Sequence, residues 1–383
     1  VLTLKRKFNI VANYEKATIE NTAMSGNFRS IITGTGCYIP TKKVFNKDFL
    51  QNEFYNSDGK KFDRTNQEII DKLEEITGIS ERRYITDDLV TSDIAFIAAK
   101  NALDSSKADK ESFDYIIVAH NFGDVKADNR RSDFVPSLAS RVKHKLRIKN
   151  PNTVAYDLPF GCPGWLQAMI QADYFIKSGD AKRALVIGAE ALSRISDPHD
   201  RDSMIYADGA GATVLEATTS KNQVGILSHS TRSDTLEYAY MLWMDKTFAP
   251  DSQDDNLYLK MNGHKLYQYA ISTVPLVVKD ALDKAGLTLA DVDKVLIHQA
   301  NAKMDEAILK RIYKLYGEKN VPLYVMPMII SRLGNSSVAT LPILLDMLVK
   351  GQIKNYESKS GDVVVFASIG AGMNINSMIY RMP

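Results

Sequence analysis

The sequence predicts an α/β chain in which one strand–helix unit is written twice. Three observations carry that prediction. "KNALDSSKADKESFDYIIV" (100–118) aligns with "KDALDKAGLTLADVDKVLI" (279–297) at an offset of 179, with Lys100/Lys279, Ala102/Ala281, Leu103/Leu282, Asp104/Asp283 and Asp114/Asp293 identical. The same offset sets "ALVIGAEA" (184–191) against "VVVFASIG" (363–370). Both of these runs are apolar throughout, the pattern of a strand covered by helices on both faces. The period is far longer than a solenoid repeat, so a duplicated domain fits better than an array. With 383 residues, 45% of them hydrophobic, the chain can fill a large core. Strand–helix–strand alternation in two copies implies two parallel-rich sheets with helices outside and between.

Each copy of the aligned unit reads as a helix, a polar turn and a short apolar strand. "NTVAYDL" (152–158) reads as a strand, and "GWLQAMIQADYFIKSG" (164–179) has apolar residues at helical spacing and stops at Gly179. Phe160–Pro163 is then the strand-to-helix turn. Gly161 permits backbone geometry that a side chain forbids. Pro163 suits the first helical position, where its missing N–H has no partner to lose. Cys162 therefore sits at a helix N-terminus, where the macrodipole and free N–H groups favour thiolate over thiol. That is the setting of a nucleophile, although a small cysteine packed in a tight turn fits the same residues. Cys37, in "GTGCYIP", has no helix end and reads as inert packing.

In the second half, "KVLIHQAN" (294–301) ends an apolar strand with His298. "SRLGNSSVATLPILLDML" (331–348) repeats the cysteine turn's architecture: a glycine, a small polar residue, then an apolar helix. Asn335 holds roughly the place there that Cys162 holds in the first half. Pseudo-symmetric packing brings both turns to the shared boundary, and His298 reaches it from its strand end. A cysteine nucleophile needs such a partner, while a lone strand-end histidine also serves structure.

Composition excludes several classes. The net charge of +2, without long single-sign blocks, gives no footprint for nucleic acid. No apolar run approaches the roughly 20 residues of a membrane span. Lys5, Arg6 and Lys7 are not followed by an apolar stretch, so the start is a poor secretion signal. Two cysteines make no disulfide framework, and a reducing cytoplasm is the expected setting. Six scattered histidines without paired spacing predict no metal site.

Taken in order, "DLPFGCPGWLQAM", "IKSGDAKRALVIGAEALSRISDPHDRDSMIYADGAGATVL", "IHQANAKM", "GNSSVATLPILL" and "SIGAGMNINSMIYR" resemble the β-ketoacyl-acyl-carrier-protein synthase III family. The likeness runs from about residue 29 to the C-terminus. It implies a thiolase-like α-β-α-β-α layered fold, with one half over 29–218 carrying the nucleophile and another over 219–383 carrying histidine and asparagine. Residues 1–28 are an N-terminal extension in which Met24 is the candidate initiator. The implied triad is Cys162, His298 and Asn335, and the implied reaction is a decarboxylating Claisen condensation. Cys162 takes the acyl group from a thioester. His298 Nε2 and the Asn335 amide donate to the oxygen that gains charge as a malonyl- or β-ketoacyl-type extender loses carbon dioxide. The implied oxyanion hole is the backbone N–H of Cys162 and of Ala371, the latter standing where the family commonly has glycine. No cofactor is implied beyond coenzyme A or phosphopantetheine as carrier. The implied partners are an acyl carrier protein and a second copy of the chain.

The chain departs from the acetyl-CoA-using members. Lys72 and Ile76 stand where a Trp and an Arg should clamp adenine. Arg201 matches a second CoA-contacting arginine, and Lys303 matches a carrier-docking cation; a solvated charge is the plain alternative for each. "NFGDVKADNRRSDFVPSLA" is longer than the family's dimer loop, and Val135 falls where a bulkier residue from the neighbouring subunit often closes the acyl pocket. These departures point to a specialised member handling longer carrier-bound chains, as in dialkylresorcinol and aryl-polyene pathways. The rival functions are an acyltransferase that esterifies a small molecule and a non-catalytic partner subunit shaping chain length.

Overall fold

The computed structural model describes residues 28–220 and 222–383; apart from Phe28, the expected N-terminal extension lies outside them. The first half contains β1 (Arg29–Tyr38), β2 (Lys42–Phe45), α1 (Asn66–Thr77), β3 (Glu81–Tyr84), α2 (Thr91–Ser106) and β4 (Tyr115–His120). It continues with α3 (Leu138–Lys145), β5 (Val154–Pro159), α4 (Gly164–Lys177), β6 (Arg183–Ala191) and β7 (Asp208–Thr218). The second half contains β8 (Gly225–Ser233), β9 (Leu242–Asp245), β10 (Tyr258–Met261), α5 (Gly263–Ala285) and β11 (Lys294–Ile297). It ends with α6 (Ala302–Leu315), α7 (Thr340–Val349), β12 (Val363–Gly370) and β13 (Asn374–Arg381).

The repeat is visible in the strand order. One sheet runs β1-β7-β6-β4-β5 and the other β11-β12-β13-β8. The offset of 179 carries Tyr115, the start of β4, onto Lys294, the start of β11. Substituting β8, β13, β12 and β11 for β1, β7, β6 and β4 turns the first order into the second, less a counterpart for β5. There the chain makes an isolated backbone bond, Val295 N–H to Val325 C=O at 2.8 Å.

The expectation of parallel-rich sheets needs correction. β4 pairs parallel with β5 and β6, but β7 and β1 run antiparallel to their neighbours. In the second sheet only β11 and β12 are parallel. The connection from Gly370 to Asn374 is a short turn, which joins antiparallel neighbours; a parallel pair needs a crossover of a dozen residues or more.

Five layers result. α4 and α7 lie between the sheets, with Ala168, Met169, Leu344 and Leu348 packed in one cluster with Val186, Leu215, Phe366 and Tyr380. α7 is buried all round, as its almost unbroken apolar run requires. α2 and α3 cover the outer face of the first sheet, and α5 and α6 that of the second. The central helices are thus fixed on both sides, and their N-termini and the strand ends beside them form the site. Among the described residues, no helix is long and apolar enough to cross a membrane.

Candidate functional site

Cys162 stands in the turn between β5 and α4. Gly161 before it has φ +68°, a left-handed conformation that glycine adopts without strain. Pro163 caps the helix from just outside, one position earlier than expected. The turn packs backbone to backbone against the β12–β13 turn. A Cβ on Gly370 would fall 2.5 Å from Cys162 N, and one on Gly161 would fall 2.9 Å from Ala371 N. The two glycines therefore bring the Cys162 and Ala371 N–H groups together. Neither N–H is spent on a turn or loop hydrogen bond among the described residues.

A cavity of about 1070 Å³ opens over this turn. Cys162, His298, Asn335 and Ala371 all line it, although they come from four separate stretches of chain. His298 follows the last residue of β11 and is held by its N–H to Ala367 C=O at 2.9 Å. Its Nδ1 has no partner among the described residues. Asn335 is buried, and its side-chain oxygen accepts the Ser337 N–H at 2.8 Å. Among the described residues that leaves the amide NH2 as the free hydrogen-bonding end.

Sequence reasoning missed the polar chain behind the cysteine. Ser337 Oγ donates to Cys162 Sγ at 3.3 Å. Asn121 Nδ2 donates to the same Ser337 Oγ at 3.2 Å and also to buried Glu190, whose Oε2 takes the Asn121 N–H at 3.1 Å. A hydroxyl that accepts from an amide keeps its single proton for its other neighbour, so Asn121 directs the Ser337 proton onto sulfur. Ser337 is held at φ +52°, an uncommon conformation for a side-chain-bearing residue. The only hint in the sequence was a small polar residue two places after Asn335.

The electrostatics overturn one expectation. Cys162 was expected to favour thiolate, yet burial pushes its thiol up to about 11, with the Glu190 charge adding to the rise and the Ser337 hydroxyl opposing it. Removal from water disfavours the thiolate that a helix end favours. Burial likewise lowers His298 to about 4, so its ring is neutral at neutral pH, and lifts Glu190 to about 8. Cys37, half-buried in β1, is pushed far up by burial and by Asp346, which suits inert packing.

The remaining expected residues ring the mouth or lie outside it. Arg201 and Lys72 line the cavity, as does Ile76. Lys303, one residue into α6, pairs with Glu75 at 3.0 Å, and Lys72 pairs with the same carboxylate at 2.8 Å. Val135 is 85% exposed and does not line the cavity within its own chain.

Comparison with known proteins follows this geometry. Residues 156–235 match the family model described as 3-oxoacyl-[acyl-carrier-protein] synthase III, and residues 282–382 match the model of its C-terminal region. The chain is 34% identical over 359 residues to the β-ketoacyl-[acyl-carrier-protein] synthase III of a Bradyrhizobium strain, covering 92% of this chain and 99% of that protein. It is 31% identical over 356 residues to the enzyme of the same name from Erythrobacter litoralis, again covering 92% and 99%. The solved β-ketoacyl-[acyl-carrier-protein] synthase III of Thermus thermophilus superposes with a TM-score of 0.75 at 30% identity, covering 92% of this chain and 99% of that one.

Proposed function

The chain belongs to the β-ketoacyl-acyl-carrier-protein synthase III family, acyltransferases of the thiolase fold, and from that premise we propose that it joins an acyl group held on Cys162 to a malonyl-type carrier-protein thioester with loss of carbon dioxide. The observation that carries this reading is the convergence of Cys162, His298, Asn335 and Ala371 on one cavity.

Each step uses a group already placed. The Cys162 sulfur attacks the thioester carbonyl carbon, and the oxygen becomes an oxyanion facing the Cys162 and Ala371 N–H groups. Collapse expels the carrier thiol and leaves an acyl-enzyme. The Cys162 thiol gives up its proton as it attacks and the departing carrier thiolate takes one up, so no net proton is released, while the Ser337 hydroxyl stabilises the sulfur as it carries negative charge. In the second half-reaction the extender's thioester oxygen sits on His298 Nε2–H and the Asn335 NH2. Departure of carbon dioxide leaves an enolate there, and each fixed donor contributes about 2.7–4 kcal/mol where such donors have been removed. The enolate carbon then attacks the acyl carbonyl, and Cys162 leaves. A neutral His298 suits this role, because it donates one hydrogen bond without adding a buried charge. The family's chemistry calls for no cofactor beyond the thioester carrier.

Two halves, 29–218 and 219–383, are the assigned domains, and the cytoplasm is the assigned compartment. A homodimer is the assigned assembly. Among the described residues β5 is an edge strand, paired only with β4, and edge strands recruit partners. Phe134 and Val135 are 45% and 85% exposed, and Val154, on β5, is 49% exposed.

The test is single turnover of loaded enzyme with malonyl-carrier protein. One carbon dioxide should form per β-ketoacyl product. His298→Ala should keep loading while condensation falls about 10²–10³-fold. Transfer of the acyl group to a hydroxyl acceptor without carbon dioxide release would support the esterifying alternative instead.

A further inference from the structure

The hydrogen bond to the Cys162 sulfur depends on which way round one amide stands. The two ends of an asparagine amide have nearly the same shape, but one donates and the other accepts. With its NH2 toward Ser337 Oγ at 3.2 Å, Asn121 leaves the hydroxyl proton to sulfur. Turned over, the amide oxygen would take that proton, and the sulfur would lose its donor. Something must hold the amide one way round.

Glu190 supplies the hold. Ala119 of β4 pairs in parallel with Gly188 of β6. Strand side chains alternate, so two residues further along Asn121 and Glu190 face the same way on neighbouring chains. Two donors of Asn121, its backbone N–H at 3.1 Å and its Nδ2, converge on one oxygen, Glu190 Oε2. The other oxygen, Oε1, is buried and without a partner among the described residues. Oε2 is therefore the accepting oxygen. Burial lifts this carboxyl to about 8, and the proton it carries at neutral pH belongs on Oε1. An amide oxygen turned toward Oε2 would set two acceptors against each other.

The serine end is fixed independently. A Cβ on Gly188 would fall 2.5 Å from the Val338 carbonyl oxygen, so the backbone just after Ser337 lies directly on β6. The Ser337 N–H is tied to Asn335 Oδ1 at 2.8 Å. The direction of the hydroxyl proton is what remains to be set. Asn121, Ser337 and Cys162 line the cavity, whereas Glu190 is fully buried and does not. Glu190 therefore acts on the sulfur through its neighbours.

We propose that Glu190 is a positioning residue for the Cys162 thiol: it fixes the Asn121 amide with its NH2 toward Ser337, and so keeps the Ser337 hydroxyl donating to sulfur. Its part in loading rests on the reading of Cys162 as acyl acceptor.

The experiment measures alkylation of Cys162 by iodoacetamide at neutral pH, in a Cys37→Ala background that leaves one thiol. Urea melts count the folded molecules. Glu190→Met is close to the native volume and offers no accepting oxygen. It should slow alkylation about five- to tenfold, approaching the loss expected for Ser337→Ala. Glu190→Ala removes the same oxygen by truncation and serves as the second variant. In a Ser337→Ala background either change should alter the rate by less than about twofold, because the hydroxyl through which Glu190 acts is gone. Glu190→Gln keeps an accepting oxygen toward Asn121 and matches the shape of the neutral acid, so it should alkylate at least about three times faster than Glu190→Met. Three results overturn the proposal: Glu190→Met and Glu190→Ala both within about twofold of the parent, a slowing as large without Ser337 as with it, or Glu190→Gln as slow as Glu190→Met. Absence of a mass gain from octanoyl-pantetheine in the parent overturns the acyl-acceptor reading of Cys162 instead, and the alkylation rates still decide the role of Glu190.

Discussion

Gly370→Ala tests the oxyanion geometry at its tightest point. The new Cβ would lie 2.5 Å from Cys162 N, 2.7 Å from Pro163 Cδ and 3.0 Å from Cys162 Cβ. Ordinary contact begins at 3.4 Å, so the two turns must part by about 0.9 Å. Neither side yields easily, since one is backbone at the start of buried α4 and the other ends buried β12. A misplacement near 1 Å costs about 10²-fold in rate, and losing one oxyanion donor costs about 10²–10³-fold. We expect acyl loading to fall about 10²–10³-fold. Overpacking should also remove about 1–3 kcal/mol of stability. The assay is the second-order rate of acyl-enzyme formation by intact mass, with a denaturant melt to count folded molecules. A folded variant that loads within threefold of wild type would refute the reasoning.

Other outcomes follow from the same site. Ser337→Ala removes the hydroxyl donor to sulfur, which sits at 3.3 Å, an ordinary O–H···S separation; taking the lower end of a charge-assisted bond, about 1.5 kcal/mol, iodoacetamide should alkylate Cys162 about tenfold more slowly at fixed pH. An unchanged rate removes Ser337 from the mechanism. His298, at about 4 when folded against an ordinary 6.5, contributes stability that is complete above pH 6.5 and is lost as pH falls toward 4. Relative to His298→Gln, wild type should lose ~3 kcal/mol across that window in urea melts, and a flat difference contradicts a buried neutral ring. Ultracentrifugation at micromolar concentration should find a dimer, and a fully active monomer would end the assembly proposed across β5 and Val135.

The legible and illegible parts divide by the range of the interaction. The aligned helix–strand units became α2 with β4 and α5 with β11 because a two-sided apolar strand and an amphipathic helix are written in neighbouring residues. The Cys162 turn was readable for the same reason, since Gly161 and Pro163 flank it. The mixed character of the sheets was not, because strand direction depends on how long each connection is in space. Ser337, Asn121 and Glu190 meet from three distant segments, and no spacing in the chain announces them. Thiolate at Cys162 failed for a related reason: the helix end is local, but burial, which pushes the thiol up, is set by the whole fold. The missing Trp and Arg at positions 72 and 76 were visible as substitutions. That the Arg201 guanidinium rests on the Phe62 ring depends on a turn anchored to residues 198–199, far away in sequence.

The central claim is that Cys162 carries the acyl group, and the most direct measurement is the intact mass of wild type, Cys162→Ala and Cys37→Ala after exposure to an acyl thioester. The account predicts a mass gain of one acyl group in wild type and Cys37→Ala, released by hydroxylamine, and none in Cys162→Ala. An adduct that persists in Cys162→Ala and vanishes in Cys37→Ala would contradict it.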